Sequence, residues 1–558
     1  MEWRADAPPP FCGRRTAAIT QRIIIGMRLT PTTLGLLLAG AGLLSANNAL
    51  AASDTLIYCT VASPESFNPQ LSTSGPTFIA TSQMLYNRLV TLRGSDKTPA
   101  PSLATDWTIS PDGKTYTFTL RKGVKFNSNK FFTPSRDFNA EDVVFTVMRQ
   151  KDPNHPYHKV SGGSYEYFSD LGLDKLIAKV EALDDNHVRF TLTQPNAAFL
   201  ADWTMDFASI LSAEYADAMM KKGTPENVDN WPIGTGPYAL QQYKQDSLIR
   251  YIANPHYWQG EVASKHLIFS ITPDAQTRLS KLKTNECQII PAPLPEQFAA
   301  IKRDKNLQLH SIDGLNVGYL AFNTAKKPFD NLLVRQALSY AVDKKAIVAA
   351  VFKESGTPAS SLLPPGMLGY NDKLPGYEYN PQKARELLKQ AGLEKGFTTD
   401  IWSMPVARPY NPNSRRIAEM IQSDWAQVGV KANIVTWEWG QYLAGLRKGE
   451  QHSALYGWVS DNGDPDNFAT LLGCDGVQSG ANVARWCDKS YDALIKQAIA
   501  VNTPAERGKL YQQAQEVFAK QAPWLPLANG KVFYATRNNL SGYVVDVNGS
   551  DFSKAKLN

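Results

Sequence analysis

The chain has 558 residues, with 58 Lys and Arg against 52 Asp and Glu and a formal charge of +6. At roughly 100–200 residues per domain, this length implies about three or four domain-sized units. A composition of 43% hydrophobic and 20% charged residues excludes a disordered chain, and a small dispersed positive balance excludes tracking of a phosphate backbone, so no nucleic acid is expected as a partner.

The first fifty residues read as a leader. Met27-Arg28 begins a short basic segment, Leu34 to Leu44 is an apolar stretch, and Ala49-Leu50-Ala51 supplies the small–x–small pattern of signal peptidase. Together these predict cleavage before Ala52. The apolar stretch is too short to span a bilayer, and no Cys follows the cleavage site to carry a lipid. Residues 1–26 precede a second start at Met27. Without residues 1–51 the charged residues stand at 53 against 50, or +3, so the expected mature chain is exported, soluble and nearly neutral.

Cys59, Cys287, Cys474 and Cys487 remain after cleavage, an even number in an oxidising compartment. Four cysteines allow three pairings. The short separation of Cys474 and Cys487 favours a local staple, which leaves Cys59 with Cys287. A zinc site is not expected, because no Cys neighbours His155 and His158 and Pro156 lies between them.

Beyond the leader the pattern changes near residue 315 and again near 530. Residues 54–312 read mostly as short strands with turn punctuation. Thr115 to Leu120 alternates polar and apolar residues after the Asp112-Gly113 turn, and Val188 to Leu192 does so after Asp184-Asp185-Asn186. Both predict half-buried hairpin strands. Asn139 as a cap, with Glu141-Asp142 in the first turn, predicts a helix over 139–149.

Residues 316–530 alternate helices and strands. Val334, Ala337, Leu338, Ala341 and Val342 sit at helical spacing. Asn380, Pro381 and Gly392 delimit another helix that buries Ala384, Leu387, Leu388 and Ala391. Phe397 to Ser403 reads as a strand, and a helix follows with Ile417, Met420, Ile421, Trp425 and Val428 on one face. Lys431 to Trp437 reads as the next strand, so the unit is β-α-β with parallel strands. Ser453 to Val459 is a third strand.

In open α/β sheets, ligands bind at the carboxyl ends of parallel strands. Arg408 and Asp461 fall there, and opposite charges at one sheet edge suit a zwitterionic ligand. The alternative is that they are solvated loop charges or pair with each other. Three other motifs fail on their context. Gly234-Thr235-Gly236-Pro237-Tyr238-Ala239 matches G-x-G-x-x-A without a strand–helix setting. The acidic run from Asp461 has Gly463 and Pro465 where an EF-hand needs oxygen ligands. Ser280-Lys281-Leu282-Lys283 and Ser460-Asp461-Asn462 match two strings of penicillin-binding acylases, but no K-T-G accompanies them.

Several strings carry a family resemblance from Thr55 to the C-terminus. Tyr86-Asn87-Arg88-Leu89-Val90, Pro111 to Phe118, Arg121-Lys122-Gly123-Val124-Lys125-Phe126, Gly234 to Tyr238 and Val334-Arg335-Gln336-Ala337-Leu338 resemble the oligopeptide, dipeptide and nickel solute-binding family of ABC importers. His158 to Phe168, Arg408-Pro409-Tyr410-Asn411-Pro412-Asn413 and Asp461 to Asn467 resemble its dipeptide branch.

The resemblance implies an α/β, two-lobed class II periplasmic-binding-protein clamp with an inserted subdomain. Lobe one is expected over about 54–313 plus 532–558, with the insertion near 98–222. Lobe two is expected over about 316–529, with hinge crossings near 314–315 and 529–531. It also implies both disulfides, Cys59–Cys287 and Cys474–Cys487. Asp461 is expected to hold the peptide ammonium and Arg408 its carboxylate, while Thr73-Ser74-Gly75, Arg408-Pro409-Tyr410 and Trp458-Val459-Ser460-Asp461 contact the dipeptide backbone. Pro76 departs from the family pattern and removes a backbone donor beside Gly75.

Trp439, Trp437, Tyr410 and Trp458 are candidates for side-chain pockets, Trp437 being expected in the core instead. The expected protein is a monomeric, non-enzymatic binding protein of a Gram-negative periplasm. It needs neither cofactor nor metal, captures dipeptides with free termini and delivers them to an inner-membrane ABC permease with its ATPase subunits. Haem, glutathione, nickel or longer peptides are alternative ligands for the same fold, and a penicillin-binding-type serine acylase is the distant alternative.

Overall fold

The computed structural model describes residues 54–93, 98–546 and 549–558; the leader, the cleavage site before Ala52 and the second start at Met27 lie outside them. Strand β1 (Thr55–Thr60) opens the first sheet and is followed by helix α1 (Gly75–Ala80). The chain then leaves that sheet and builds a separate one of four strands.

There β2 (Ala104–Ile109) and β3 (Thr115–Leu120) form the hairpin predicted at Asp112-Gly113, with Gly113 at φ +69°, a region costly for any residue with a Cβ. β4 (Ile177–Asp184) and β5 (His187–Leu192) form the second hairpin, and the order is β2-β3-β5-β4. Tyr116, Phe118, Val188 and Phe190 alternate inward and pack with Phe199 and Trp203. Between the hairpins run α2 (Ala140–Lys151) and α3 (Glu166–Asp170). Asn139 caps α2 as predicted, and Asp142 completes a reciprocal capping box that satisfies two backbone donors at once.

β6 (Tyr238–Lys244), β7 (Leu248–Ala253), β8 (His266–Ile271) and β9 (Ile289–Pro291) return to the first sheet in the order β6-β7-β8-β1-β9. Cys59 on β1 is bonded to Cys287 just before β9, with Cα atoms 5.8 Å apart. β10 (Leu307–Asp313) also belongs to this sheet, whereas β11 (Asn316–Phe322), two residues later, belongs to the second.

The second sheet adds β12 (Gly356–Pro358), β13 (Thr398–Trp402), β14 (Lys431–Val435) and β15 (Ser453–Val459) in the order β14-β13-β15-β11. Its last member, β16 (Trp524–Arg537), is 14 residues long and pairs in both sheets. Trp524 to Ala528 lie against β11, while Lys531 to Arg537 lie against β10. At the changeover the buried Asn316 amide donates to Gly530 O at 2.8 Å and accepts the Gly530 N–H at 2.7 Å, and Asn529 donates back to Asn316 O at 2.7 Å.

The helices on the second sheet follow the predicted caps. α4 (Leu332–Tyr340) buries Val334, Ala337 and Leu338. α5 (Pro381–Gln390) starts at Asn380, whose side chain accepts the Lys383 N–H, and buries Ala384, Leu387 and Leu388; Ala391 caps its end, half-buried. α6 (Ser414–Ala426) puts Ile417, Ile421 and Trp425 in the core, and α7 (Trp439–Lys448) precedes β15. α8 (Pro504–Gln521) leads into β16. The predicted β-α-β unit is present, with β13 parallel to both β14 and β15. Trp437 is the exception: β14 ends at Val435, and Trp437 stands 45% exposed, 5.9 Å from Trp402, rather than in the core.

Cys474 and Cys487 are bonded, with Cα atoms 4.7 Å apart and 13 residues of separation. Replacing both by Ser should lower unfolding stability by about 2–4 kcal/mol while leaving the sheets intact. Denaturant unfolding with far-UV circular dichroism measures this. Peptide mapping without reduction checks the pairing, and a Cys474–Cys59 peptide would contradict it.

Candidate functional site

β13 and β15 lie side by side in parallel, Ile401 opposite Ser453 and Trp402 opposite Ala454, so both leave the sheet at one edge. Arg408 follows β13 and Asp461 follows β15. The two side chains are held in different ways.

Arg408 begins a tight turn. Its N–H donates to Asn411 O at 3.0 Å, and the Asn411 N–H donates back at 2.9 Å. The turn lies flat on the sheet because Gly318 of β11 and Gly457 of β15 face each other in register. A Cβ on Gly318 would stand 2.1 Å from Tyr410 O, one on Gly457 2.3 Å from the Tyr410 ring, and one on Gly530 2.1 Å from Pro409 O. The side-chain-free notch seats Pro409-Tyr410, burying Tyr410 and leaving Pro409 and Arg408 exposed. The Arg408 guanidinium lies 5.5 Å from the Trp439 ring centroid, within range of a cation–π contact. Trp439 in turn stacks on Tyr442 at 5.8 Å and neighbours Tyr456 at 6.5 Å.

Asp461 accepts a hydrogen bond from the Tyr167 hydroxyl at 3.1 Å and another from the Asn467 amide at 3.4 Å. Its own N–H and the Trp458 indole both donate to Asn467 Oδ1, at 3.2 and 2.9 Å. Tyr167, on α3, packs 5.9 Å from Phe78 on α1, the helix that begins at Gly75. Thr73-Ser74-Gly75 therefore connect to Asp461 through an aromatic pair. Pro76 occupies the first turn of α1, where a backbone N–H has no intrahelical partner, so the departure costs the helix nothing. Val459 is exposed, whereas Ser460 is buried, its N–H bonded to Leu315 O at 2.7 Å and its hydroxyl accepting the Gly463 N–H at 2.8 Å.

Burial pushes the Asp461 carboxyl up to about 6; the bonds from Tyr167 and Asn467 oppose this, and the charge of Asp206 adds to it. Asp206 is itself held by Ser82 and by Arg88, the latter at 3.1 Å. Among the described residues, neither Arg408 nor Asp461 takes part in an ion pair, with each other or with a third group.

The acidic run beyond Asp461 gives each member a separate task. Asn462 donates to the buried Asp202 at 2.8 Å, bridging to the region of the four-stranded sheet. Asp464 receives both arms of Arg507 at 2.8 Å, a bidentate pair that fixes geometry as well as charge. Asp466 accepts the Tyr511 hydroxyl at 3.4 Å. Ser280 bonds to Gln276 O on its own helix, while Lys281 reaches Ser270 and Thr272, both at 3.2 Å. The S-x-x-K pair is thus used for local structure.

Tyr167, Asn467 and Asp206 carry no role in the sequence reading. Tyr167 and Asn467 lie inside strings that resemble the dipeptide branch, but their meeting with Asp461 follows only from tertiary placement.

Residues 98–479 match the model of the bacterial extracellular solute-binding proteins, family 5, middle region. The "Dipeptide-binding protein" of Escherichia coli is 54% identical over 93% of this chain and 98% of its own. "Heme-binding protein A" of Haemophilus influenzae is 48% identical over 89% of this chain and 91% of its own. A dipeptide-binding protein from a Pseudoalteromonas species, solved in complex with Met-Leu, superposes with a TM-score of 0.78 at 41% identity, covering 90% of this chain and all of that one. A two-lobed α/β clamp is the fold they share, and this chain belongs to the family 5 bacterial extracellular solute-binding proteins.

Proposed function

We propose that the protein is a periplasmic receptor that captures dipeptides with free termini and hands them to an ABC permease with its ATPase subunits. The observation that carries this reading is the pair of opposite charges, Arg408 and Asp461, delivered to one sheet edge with neither of them in an ion pair among the described residues. A dipeptide presents an ammonium and a carboxylate separated by at most about 7 Å of extended chain. Asp461 receives the ammonium, taking it in place of the Tyr167 hydroxyl, and the planar Arg408 fork receives the carboxylate. Pro409, Tyr410, Trp458, Val459 and Ser460 from one side and Thr73-Ser74-Gly75 from the other line the peptide backbone, and Trp439 walls a side-chain pocket.

Two lobes, about 54–313 with 532–558 and about 316–529, close on the ligand about crossings near 314–315 and 529–531, the insertion near 98–222 moving with lobe one. Closure removes water and strengthens both ion pairs. The leader, cleaved before Ala52, brings a monomeric chain to the periplasm of a Gram-negative cell. No bond is made or broken in the ligand. The similarity to a dipeptide-binding protein in Escherichia coli supports this reading over haem, for which the Haemophilus relative speaks.

Mass spectrometry of ligands released from the denatured protein tests the reading directly: dipeptides are expected, and a tetrapyrrole in their place would refute it. The pH dependence gives a second test. Binding needs the charged form of Asp461, whose carboxyl in the free protein titrates at about 6. Protonation competes with the ammonium, so affinity for Ala-Ala should hold at neutral pH and fall by up to about tenfold per unit below pH 6. Calorimetric titrations from pH 7.5 to 4.5 measure this, and a flat profile would contradict the role of Asp461.

A further inference from the structure

The loop that carries Arg408 has a second face. Ala407, Pro409 and Pro412 border a cavity of about 640 Å³ that is closed on its other side by 291–298 and by β16. Asp461, Tyr167 and Trp439 do not line it. Its size falls within the roughly 300–1,000 Å³ of small-molecule sites, and such sites are mostly apolar with a few polar groups that fix orientation.

The walls fit that description. Phe298 and Phe533 stack with ring centroids 4.4 Å apart, Val351 faces them from the second-sheet side, and Leu294 stands 48% exposed. Five lining residues are prolines, at 291, 293, 295, 409 and 412, and each withholds a backbone donor. Cations supply most of the charge. Lys353, Arg416 and Lys531 line the same cavity as Arg408, against one acid, Glu296. Their ion pairs are long and exposed: Lys353 to Glu296 at 3.8 Å, Arg416 to Glu419 at 3.7 Å and Lys531 to Asp313 at 3.6 Å. Such pairs are weak and exchange readily for another carboxylate.

We infer that this cavity is a second ligand site, for an organic anion with an apolar body and a terminal carboxylate. The apolar body replaces water on the Phe298–Phe533 wall, and the carboxylate meets Lys353 and Lys531. A peptide fits less well, since each added residue brings an N–H and a C=O that need partners, and the five lining prolines withhold the backbone N–H groups that an extended peptide would pair with. The acyl and the aromatic forms of this chemistry are separated by the choice of probe.

Dodecanoate and 2-naphthoate are titrated into the mature protein by calorimetry, with and without saturating Ala-Ala, and dodecanol serves as the uncharged control. One of the two anions should bind with 1:1 stoichiometry whether or not Ala-Ala is present, and dodecanol at least tenfold more weakly than dodecanoate. Lys353→Ala should weaken the anion at least tenfold, and Val351→Trp should weaken it at least as much by obstructing the Phe298–Phe533 wall. Ala-Ala affinity should change less than twofold in either variant, which also shows that both are folded. The inference is overturned if neither anion binds, if Ala-Ala displaces the anion, or if Val351→Trp leaves the anion unaffected while weakening Ala-Ala-Leu, in which case the cavity serves longer peptides. Loss of Ala-Ala binding by the unmodified protein would instead refute the dipeptide reading and leave this site standing or falling on its own titration.

Discussion

N-acetyl-Ala-Ala is expected to bind about 100-fold more weakly than Ala-Ala, or worse. Acetylation removes the positive charge and most of the donors that Asp461 is arranged to receive, while leaving the carboxylate for Arg408. Losing one partner of a desolvated charge pair costs about 2–5 kcal/mol, and about 2.7 kcal/mol already corresponds to 100-fold. The loss is not made good inside the protein, because among the described residues the groups that bond to the Asp461 carboxylate are Tyr167 and Asn467, both neutral. Asp461→Asn should bring the two peptides close together in affinity, since it removes the charge that distinguishes them. Equal affinity of the unmodified protein for both peptides in a calorimetric titration would refute the assignment.

The second large effect concerns length. If Asp461 and Arg408 span a closed cleft, a third residue adds roughly 3.3–3.6 Å, and the tripeptide must buckle or its carboxylate must leave the Arg fork. Ala-Ala should therefore bind better than Ala-Ala-Ala. Arg408→Ala should weaken the dipeptide by about 2–5 kcal/mol and the tripeptide much less, because the dipeptide carboxylate is then buried without its partner. Arg408→Lys should recover only part of the loss, as a point charge cannot reproduce two parallel hydrogen bonds. Titration of both peptides against the three proteins decides it. Equal weakening of both by Arg408→Ala would mean that Arg408 supports the closed state rather than measuring the ligand.

Local chemistry made much of this molecule legible in advance. Asn139, Asn380 and the Asp112-Gly113 turn act within a few residues of themselves, and each is where the sequence puts it. The parallel arrangement of β13, β14 and β15 follows from the length of the intervening helix. Arg408 and Asp461 could be named because strand ends collect ligands, and among the described residues neither forms an ion pair. Trp437 misled, because an alternating pattern does not say where a strand stops; pairing of β14 ends at Val435 and releases it to solvent. Tyr167 was hidden for a different reason. It lies 294 residues from Asp461, and no periodicity reaches across such a distance. The glycine notch under Tyr410 was equally out of reach, since Gly318 and Gly457 matter only once β11 and β15 pair.

Strand β16 has a thermodynamic consequence that neither sheet has alone. A protein with several separate cores ordinarily melts in stages, because one unit unfolds without exposing the next. Here Trp524 to Ala528 complete one sheet, and Lys531 to Arg537, on the same strand, complete the other. Unravelling either half strips hydrogen-bond partners from a strand that the other half needs. The amide clasp between Asn316, Asn529 and Gly530 makes the junction itself part of both ladders. The two sheets are thereby tied through one shared strand, and a single unfolding transition is expected for both.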